Sequence, residues 1–122
     1  MHAAEMAVLH RRYGDGASFI GVYIAEAHAT DEWPMGDHVA LTQPRSLVER
    51  IANARTFKKA TGFGVPLFAD GIANGFMAAF SAHPERYFIV QRGMLVWKAQ
   101  PSGLGGYDLS HLASALETML RL

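Results

Sequence analysis

No cysteine occurs anywhere in the 122 residues. That excludes a disulfide, a thiolate metal site and CxxC exchange within the chain, and it leaves the redox compartment unread. Excess charge of either sign is also missing. Eleven basic residues balance eleven acidic ones, which removes the electrostatic footprint of a nucleic-acid binder. No apolar run approaches the roughly 18 residues that suggest a transmembrane helix. The stretch Met1–Gly14 lacks the apolar core of a signal peptide. The compartment expected from these absences is the cytoplasm. What is present is a globular composition, with 50% apolar residues. A single domain over 1–122 can bury a core without disulfides at this length.

The chain is organised around Ser18–Trp33. Phe19, Ile20, Val22, Tyr23 and Ile24 form a near-continuous β-favouring apolar run. Such a run suits a parallel strand buried on both faces. It turns abruptly polar, with Glu26, His28, Thr30, Asp31 and Glu32 following. Ligands of open α/β sheets bind just beyond the carboxyl ends of the strands. Glu26 and His28 are therefore placed for proton transfer, since an imidazole titrates near neutral pH. Set against this is a plain strand running into a solvated loop. Glu26, His28 and Asp31 also supply oxygen and nitrogen donors, but without a helical i, i+4 pair the spacing is unspecific for a metal.

Elsewhere the pattern alternates. Met1–Tyr13 reads as a helix stopped by Gly14-Asp15-Gly16, with glycine as its C-cap. Trp33–Pro44 is a loop. Ser46 and Glu49 form a capping box that opens a helix with Leu47, Ile51 and Ala54 on one face and Gly62 as its stop. Val65–Asp70 is a short strand, placed at an edge because Pro66 cannot donate to a ladder. Asp70 reads as a helix cap before it reads as a ligand. Ile72–Ala82 is helical, with Phe76, Met77 and Phe80 as core. Tyr87–Val90 and Met94–Trp97 form a hairpin around Gln91-Arg92-Gly93. Asp108 caps a last helix whose buried face carries Leu109, Leu112, Leu116 and Leu120.

The segment Tyr23–Trp33, YIAEAHATDEW, resembles the signature of the iodothyronine deiodinases through Tyr23, Ile24, Glu26, Ala27, His28, Asp31 and Trp33. Ala25 replaces that family's first glutamate, and Thr30 stands for its serine. Arg45, Ser46, Leu47 and Arg50 match a second stretch, and Pro84-Glu85-Arg86, Gln91 and Gly93 match later ones. Pro44 and Ser102 stand where the family has a histidine and an arginine. The resemblance implies a thioredoxin-like three-layer α/β domain with a mixed sheet. It implies reductive dehalogenation of iodothyronine-like aromatics by a selenocysteine, with a thiol reductant for the parent enzyme. Glu26 and His28 would be catalytic. Tyr23, Asp31, Trp33, Pro84 and Arg86 would line the substrate cleft, with Pro84 as the cis-proline of such folds.

The nucleophile of that family precedes the strand at Phe19 and is not in this chain. Met1 lies where translation would restart after a selenocysteine codon read as a stop. The first strand is accordingly expected to be absent, and the chain as given inactive, with no cofactor or metal of its own. Two alternatives stand beside the deiodinase reading: a peroxiredoxin-like thiol or selenol peroxidase acting on a peroxide substrate, and a non-catalytic thioredoxin-fold binding domain. In the resembling fold the absent strand lies between Phe19–Ile24 and Tyr87–Val90. Its loss would make those strands close up and pair, or leave a gap that a second copy fills as a homodimer.

Overall fold

A computed structural model describes residues 3–25, 43–82, 85–101 and 106–120. The elements run α1 (Ala3–Tyr13), β1 (Gly21–Tyr23), α2 (Leu47–Thr61), β2 (Leu67–Ala69), α3 (Gly75–Phe80), β3 (Phe88–Gln91), β4 (Met94–Lys98) and α4 (Leu109–Leu120). This is the mixed α/β order that the thioredoxin-like expectation requires.

Local chemistry accounts for most of the boundaries. The Ser46 hydroxyl accepts from the Glu49 N–H at 3.2 Å, and the Glu49 carboxylate accepts from the Arg45 N–H at 3.3 Å. These bonds satisfy donors that the first turn of α2 leaves orphaned. Gly62 ends α2 with φ 68° and returns its N–H to the Lys58 carbonyl. Asp108 accepts from the Ser110 N–H at 2.9 Å at the start of α4. The hairpin turn is the two residues Arg92 and Gly93, with φ 54° and 75°. Positive φ at both positions is the type I′ geometry that matches strand twist.

Gly14 follows the last residue of α1, as the sequence predicts, but without a left-handed conformation. Among the described glycines, positive φ occurs at Gly62, Gly93 and Gly106 but not at Gly14. Glycine is needed there for space: an added Cβ would lie 2.5 Å from the His10 carbonyl oxygen. The N–H of Gly14 bonds that same oxygen at 2.9 Å.

The core lies between α1 and α4. Leu9, Tyr13, Leu109, Leu112 and Leu116 form one buried cluster, and Phe19, Tyr87, Ile89, Trp97 and Leu120 pack against it. On the opposite side Tyr23 meets Phe57 of α2 at 5.7 Å between ring centroids, and Phe88 meets Phe80 of α3 at 5.1 Å. Phe88 and Ile89 are successive strand residues and so point to opposite faces. The strands thus sit between an α1/α4 layer and an α2/α3 layer.

β1 pairs with β2 in parallel, Gly21 opposite Leu67 and Tyr23 opposite Ala69. β3 pairs with β4 antiparallel, with an irregularity between Ile89 and Val90. Among the described residues the two pairs do not join into one sheet. The break falls between β1 and β3, where the resemblance puts the absent strand. Closing up of these strands is therefore not what the chain does. The expectation that Phe19–Ile24 is buried on both faces is also corrected. β1 is three residues long and half-buried, and Ile20 is 63% exposed. A strand with a neighbour on one side only cannot be covered as an inner strand is.

Two helical faces differ from the sequence pattern. In α2 the buried residues are Arg50, Ala54 and Phe57, while Leu47 is exposed. α3 is confined to Gly75–Phe80 and has no fully buried residue, so Phe76, Met77 and Phe80 are half-buried. Phe76 and Phe80 stack at 4.4 Å.

The α1/α4 cluster gathers Leu9, Tyr13, Leu109, Leu112 and Leu116 into one buried unit, so truncation there is damaging. Leu112→Ala is expected to cost about 2–5 kcal/mol in urea unfolding, and Val48→Ala at an exposed site within about 0.5 kcal/mol. Equal midpoints for the two variants would contradict this placement of the core.

Candidate active site

β1 and β2 run parallel, so their carboxyl ends lie at one edge of the pair. In the sequence, Glu26 and His28 follow Tyr23. Glu26, His28, Asp31, Trp33 and Pro84 lie outside the described residues, as does the metal alternative for Glu26, His28 and Asp31. Tyr23 and Arg86 lie within them. Tyr23 ends β1, and its carbonyl accepts from the Asp70 N–H at 2.8 Å. Its ring rests on Phe57. Arg86 is half-buried, and its Nε donates to the Ala99 carbonyl at 3.3 Å. That bond runs beside the backbone bond from Ala99 N–H to the Tyr87 carbonyl at 2.9 Å. Arg86 thus ties the lead-in of β3 to the end of β4.

The edge is built by a node that sequence reasoning caught only in part. Asp70 follows β2 and is 6% exposed. Its two carboxylate oxygens accept from the Phe76 and Met77 N–H groups, each at 2.9 Å. It therefore caps α3 from outside that helix, five residues before the helix begins. The N-cap position itself is Asn74, at φ 62° with no side-chain cap bond. The cap reading of Asp70 is right, but the helix starts later than Ile72 because Asn74 takes a left-handed conformation first.

Arg50 completes the node. It is 2% exposed, and its Nη1 donates to the Gly71 carbonyl at 2.7 Å and to the Asp70 carbonyl at 3.3 Å. Among the described residues its buried Nε finds no hydrogen-bond partner. A buried guanidinium is expensive unless its donors are used, so these two carbonyls hold α2 against the carboxyl end of β2. The only sequence signal for Arg50 was its place in the Arg45–Arg50 match. Periodicity pointed to Leu47 and Ile51 instead.

Tyr87 enters β3 beside Arg86. Burial, and next the charge of Glu85, push its phenol well above the ordinary tyrosine value. Its hydroxyl donates to Glu85 Oε2 at 3.4 Å, and its ring meets Tyr107 edge-on at 5.9 Å. Among the described residues no three His, Cys, Asp or Glu side chains are grouped to hold a metal ion.

Two outcomes follow. Asp70→Ala removes the bonds to two helix N–H groups, and a loss of about 1–3 kcal/mol is expected in denaturant unfolding. A loss under about 0.5 kcal/mol would show the cap to be replaceable. For Tyr87, the folded state holds its proton more tightly than the unfolded state. Its contribution to stability is thus complete below the unfolded value near 10 and declines as pH rises above it. Tyr87→Phe should flatten the alkaline fall in thermal stability, and unchanged slopes in the two proteins would refute this.

Comparison with known proteins bears on the whole of this arrangement. A family model described as iodothyronine deiodinase matches residues 3–120. The type I iodothyronine deiodinase of Xenopus laevis is 33% identical over 113 residues, covering 93% of this chain and 44% of that protein. The thyroxine 5-deiodinases of Rattus norvegicus and Homo sapiens are each 32% identical over 118 residues, covering 93% of this chain and 38% of theirs. The chain thus spans less than half the length of these curated relatives. A match over nearly every described element, from α1 to α4, decides the matter: the chain belongs to the iodothyronine deiodinase family.

Proposed function

We propose that this chain is the acid–base and substrate-holding part of a thioredoxin-superfamily oxidoreductase that removes iodine from iodothyronine-like aromatics. The observation that carries this reading is the family match across residues 3–120. The parallel β1/β2 edge from which Glu26 and His28 continue supports it.

Overall, one aryl iodide and two thiols become the de-iodinated arene, a disulfide, iodide and a proton. The carbon–iodine bond breaks, the thiols are oxidised and the ring carbon gains hydrogen. A selenocysteine or cysteine outside this chain supplies the nucleophile, and a small thiol or dithiol supplies the electrons. His28 delivers the proton to the ring carbon, with Glu26 holding the imidazole or the substrate hydroxyl. Tyr23, Asp31, Trp33, Pro84 and Arg86 shape the cleft. With no thiol or selenol of its own, the 122-residue chain is inactive alone. We also propose that the chain self-associates as a dimer, because its short sheets leave strand edges and apolar side chains uncovered. No helix among the described residues is long and apolar enough to cross a membrane.

Iodide release from an iodothyronine in the presence of dithiothreitol tests the proposal. The reading frame extended upstream to include a cysteine or selenocysteine should release iodide, and His28→Ala should lower that rate about 10²–10⁴-fold. The 122-residue chain should release none. Turnover of hydrogen peroxide without iodide release by the extended protein would favour the peroxidase reading. Binding of the iodothyronine with neither reaction would favour a binding domain.

A further inference from the structure

We infer that the outward face of α2 is the docking surface for the partner that supplies the electrons, and that this partner is an acidic dithiol protein engaged by Arg55, Lys58 and Lys59. The inference rests on the dehalogenation reading proposed above, which needs a thiol reductant. It names the chemistry of that reductant and its place of contact.

The chain is neutral overall, but its charge is segregated. Arg45, Arg50, Arg55, Lys58 and Lys59, five of the eleven basic residues, fall between positions 45 and 59, where Glu49 is the one acid. Arg50 is turned inward to the Asp70 and Gly71 carbonyls. The Glu49 carboxylate is engaged in the capping box. Helix geometry sets the others apart. Arg50, Ala54 and Phe57 define the inward face of α2. At about 100° per residue, Arg55 and Lys59 stand on the opposite side in line with Val48, and Lys58 flanks them. All three cations are exposed, and Val48 is 77% exposed. Among the described residues none of the three has an acidic partner. The helix macrodipole accounts for Lys58 and Lys59, which lie in the last turn. It does not account for Arg55, nor for Arg45, a cation set just before the N-terminus, where the dipole disfavours it. Helix stability therefore leaves the pattern unexplained, and an anionic partner explains it.

Position and chemistry select a protein as that anion. Arg50 anchors α2 at the carboxyl end of β2, the strand edge that the proposed function uses. Lys59 lies about 13 Å farther along the helix, at roughly 1.5 Å per residue. A transient redox encounter buries less than about 1,200 Å² in total, so each partner contributes a patch roughly 25 Å across. One such patch reaches from that edge to Lys59, whereas a small free thiol covers a fraction of the span. An anionic bilayer calls for apolar side chains along the whole outer face, but Ala52, Arg55, Thr56 and Lys59 follow Val48 there. Charge contacts over a small interface speed encounter while release stays fast, which suits a reductant that must leave after each turnover. The redox step is balanced. Two thiols of the partner close to a disulfide and give up two electrons and two protons. The electrons cleave the carbon–iodine bond to iodide, one proton goes to the ring carbon and the other to solvent.

Chemical-shift titration of the isotope-labelled 122-residue chain with a reduced thioredoxin of strongly negative net charge tests the surface without requiring activity. Amide shifts should centre on Arg55–Lys59. Raising ionic strength from about 0.05 to about 0.3 M should weaken binding at least about fivefold. Arg55→Glu combined with Lys59→Glu should weaken it at least about tenfold with an unchanged circular dichroism spectrum. Lys98→Glu, on β4, should bind as the wild type does. In the protein extended upstream, the double variant should raise the KM for thioredoxin at least about fivefold and leave iodide release with dithiothreitol unchanged. Absence of binding, shifts centred away from α2, or binding that the double variant leaves intact would overturn the surface. A KM for thioredoxin that the double variant does not move would overturn the reductant role. Adsorption to phosphatidylserine vesicles without binding of thioredoxin would assign the face to a membrane and overturn the protein partner. An extended protein that releases no iodide even with dithiothreitol would overturn the dehalogenation reading, and the titration would still decide the surface.

Discussion

Asp70 is the residue on which the arrangement depends. Its N–H bonds the carbonyl that ends β1, its carboxylate caps α3, and its carbonyl, with that of Gly71, receives the Arg50 guanidinium from α2. Four elements meet through one buried side chain and its backbone. The need is physical. β1 and β2 are three residues each, and a two-stranded ribbon that short is marginal alone. Bonds just beyond the strands hold their carboxyl ends together where pairing runs out.

The second constraint is the helical layer that both strand pairs share. Phe19, leading into β1, and Ile89 of β3 rest on the same α1/α4 cluster, although the pairs do not bond to each other. Side-chain packing thus keeps them on one layer without a continuous ladder. The consequence is incomplete cover: Ile20, Phe68, Val90 and Met94 are all more than half exposed. Two narrow sheets have more edge per residue than one wide sheet, and the apolar residues that would face inner neighbours remain open to water.

The proposed chemistry and this architecture meet at the carboxyl edge of β1 and β2. The Asp70–Arg50 node sits there. Its work is to fix where β1 ends. Arg86, bonded to the Ala99 carbonyl, plays a comparable part at the entrance to β3. The family match ties this chain to relatives more than twice as long. The node shows how this chain holds its strand edge in position.

What the sequence by itself determined is what neighbours along the chain decide. The Ser46–Glu49 capping box, the Gly62 stop, the Asp108 cap and the hairpin turn at Arg92-Gly93 each rest on bonds or dihedrals within a few residues, and each was legible. So was the leucine face of α4, since a 3.6-residue repeat needs no distant partner to be seen. The family signature over Tyr23–Trp33 was legible as a string, although most of its candidate site residues lie outside the described structure. Tertiary structure alone decided the burial of Arg50, because its acceptors are carbonyls twenty and more residues away. It alone turned α2 so that Arg50, Ala54 and Phe57 face inward while Leu47 faces out. It also broke the sheet between β1 and β3. Apolar content can mark a segment as a strand, but only the presence or absence of a neighbour on each side determines whether that strand is buried.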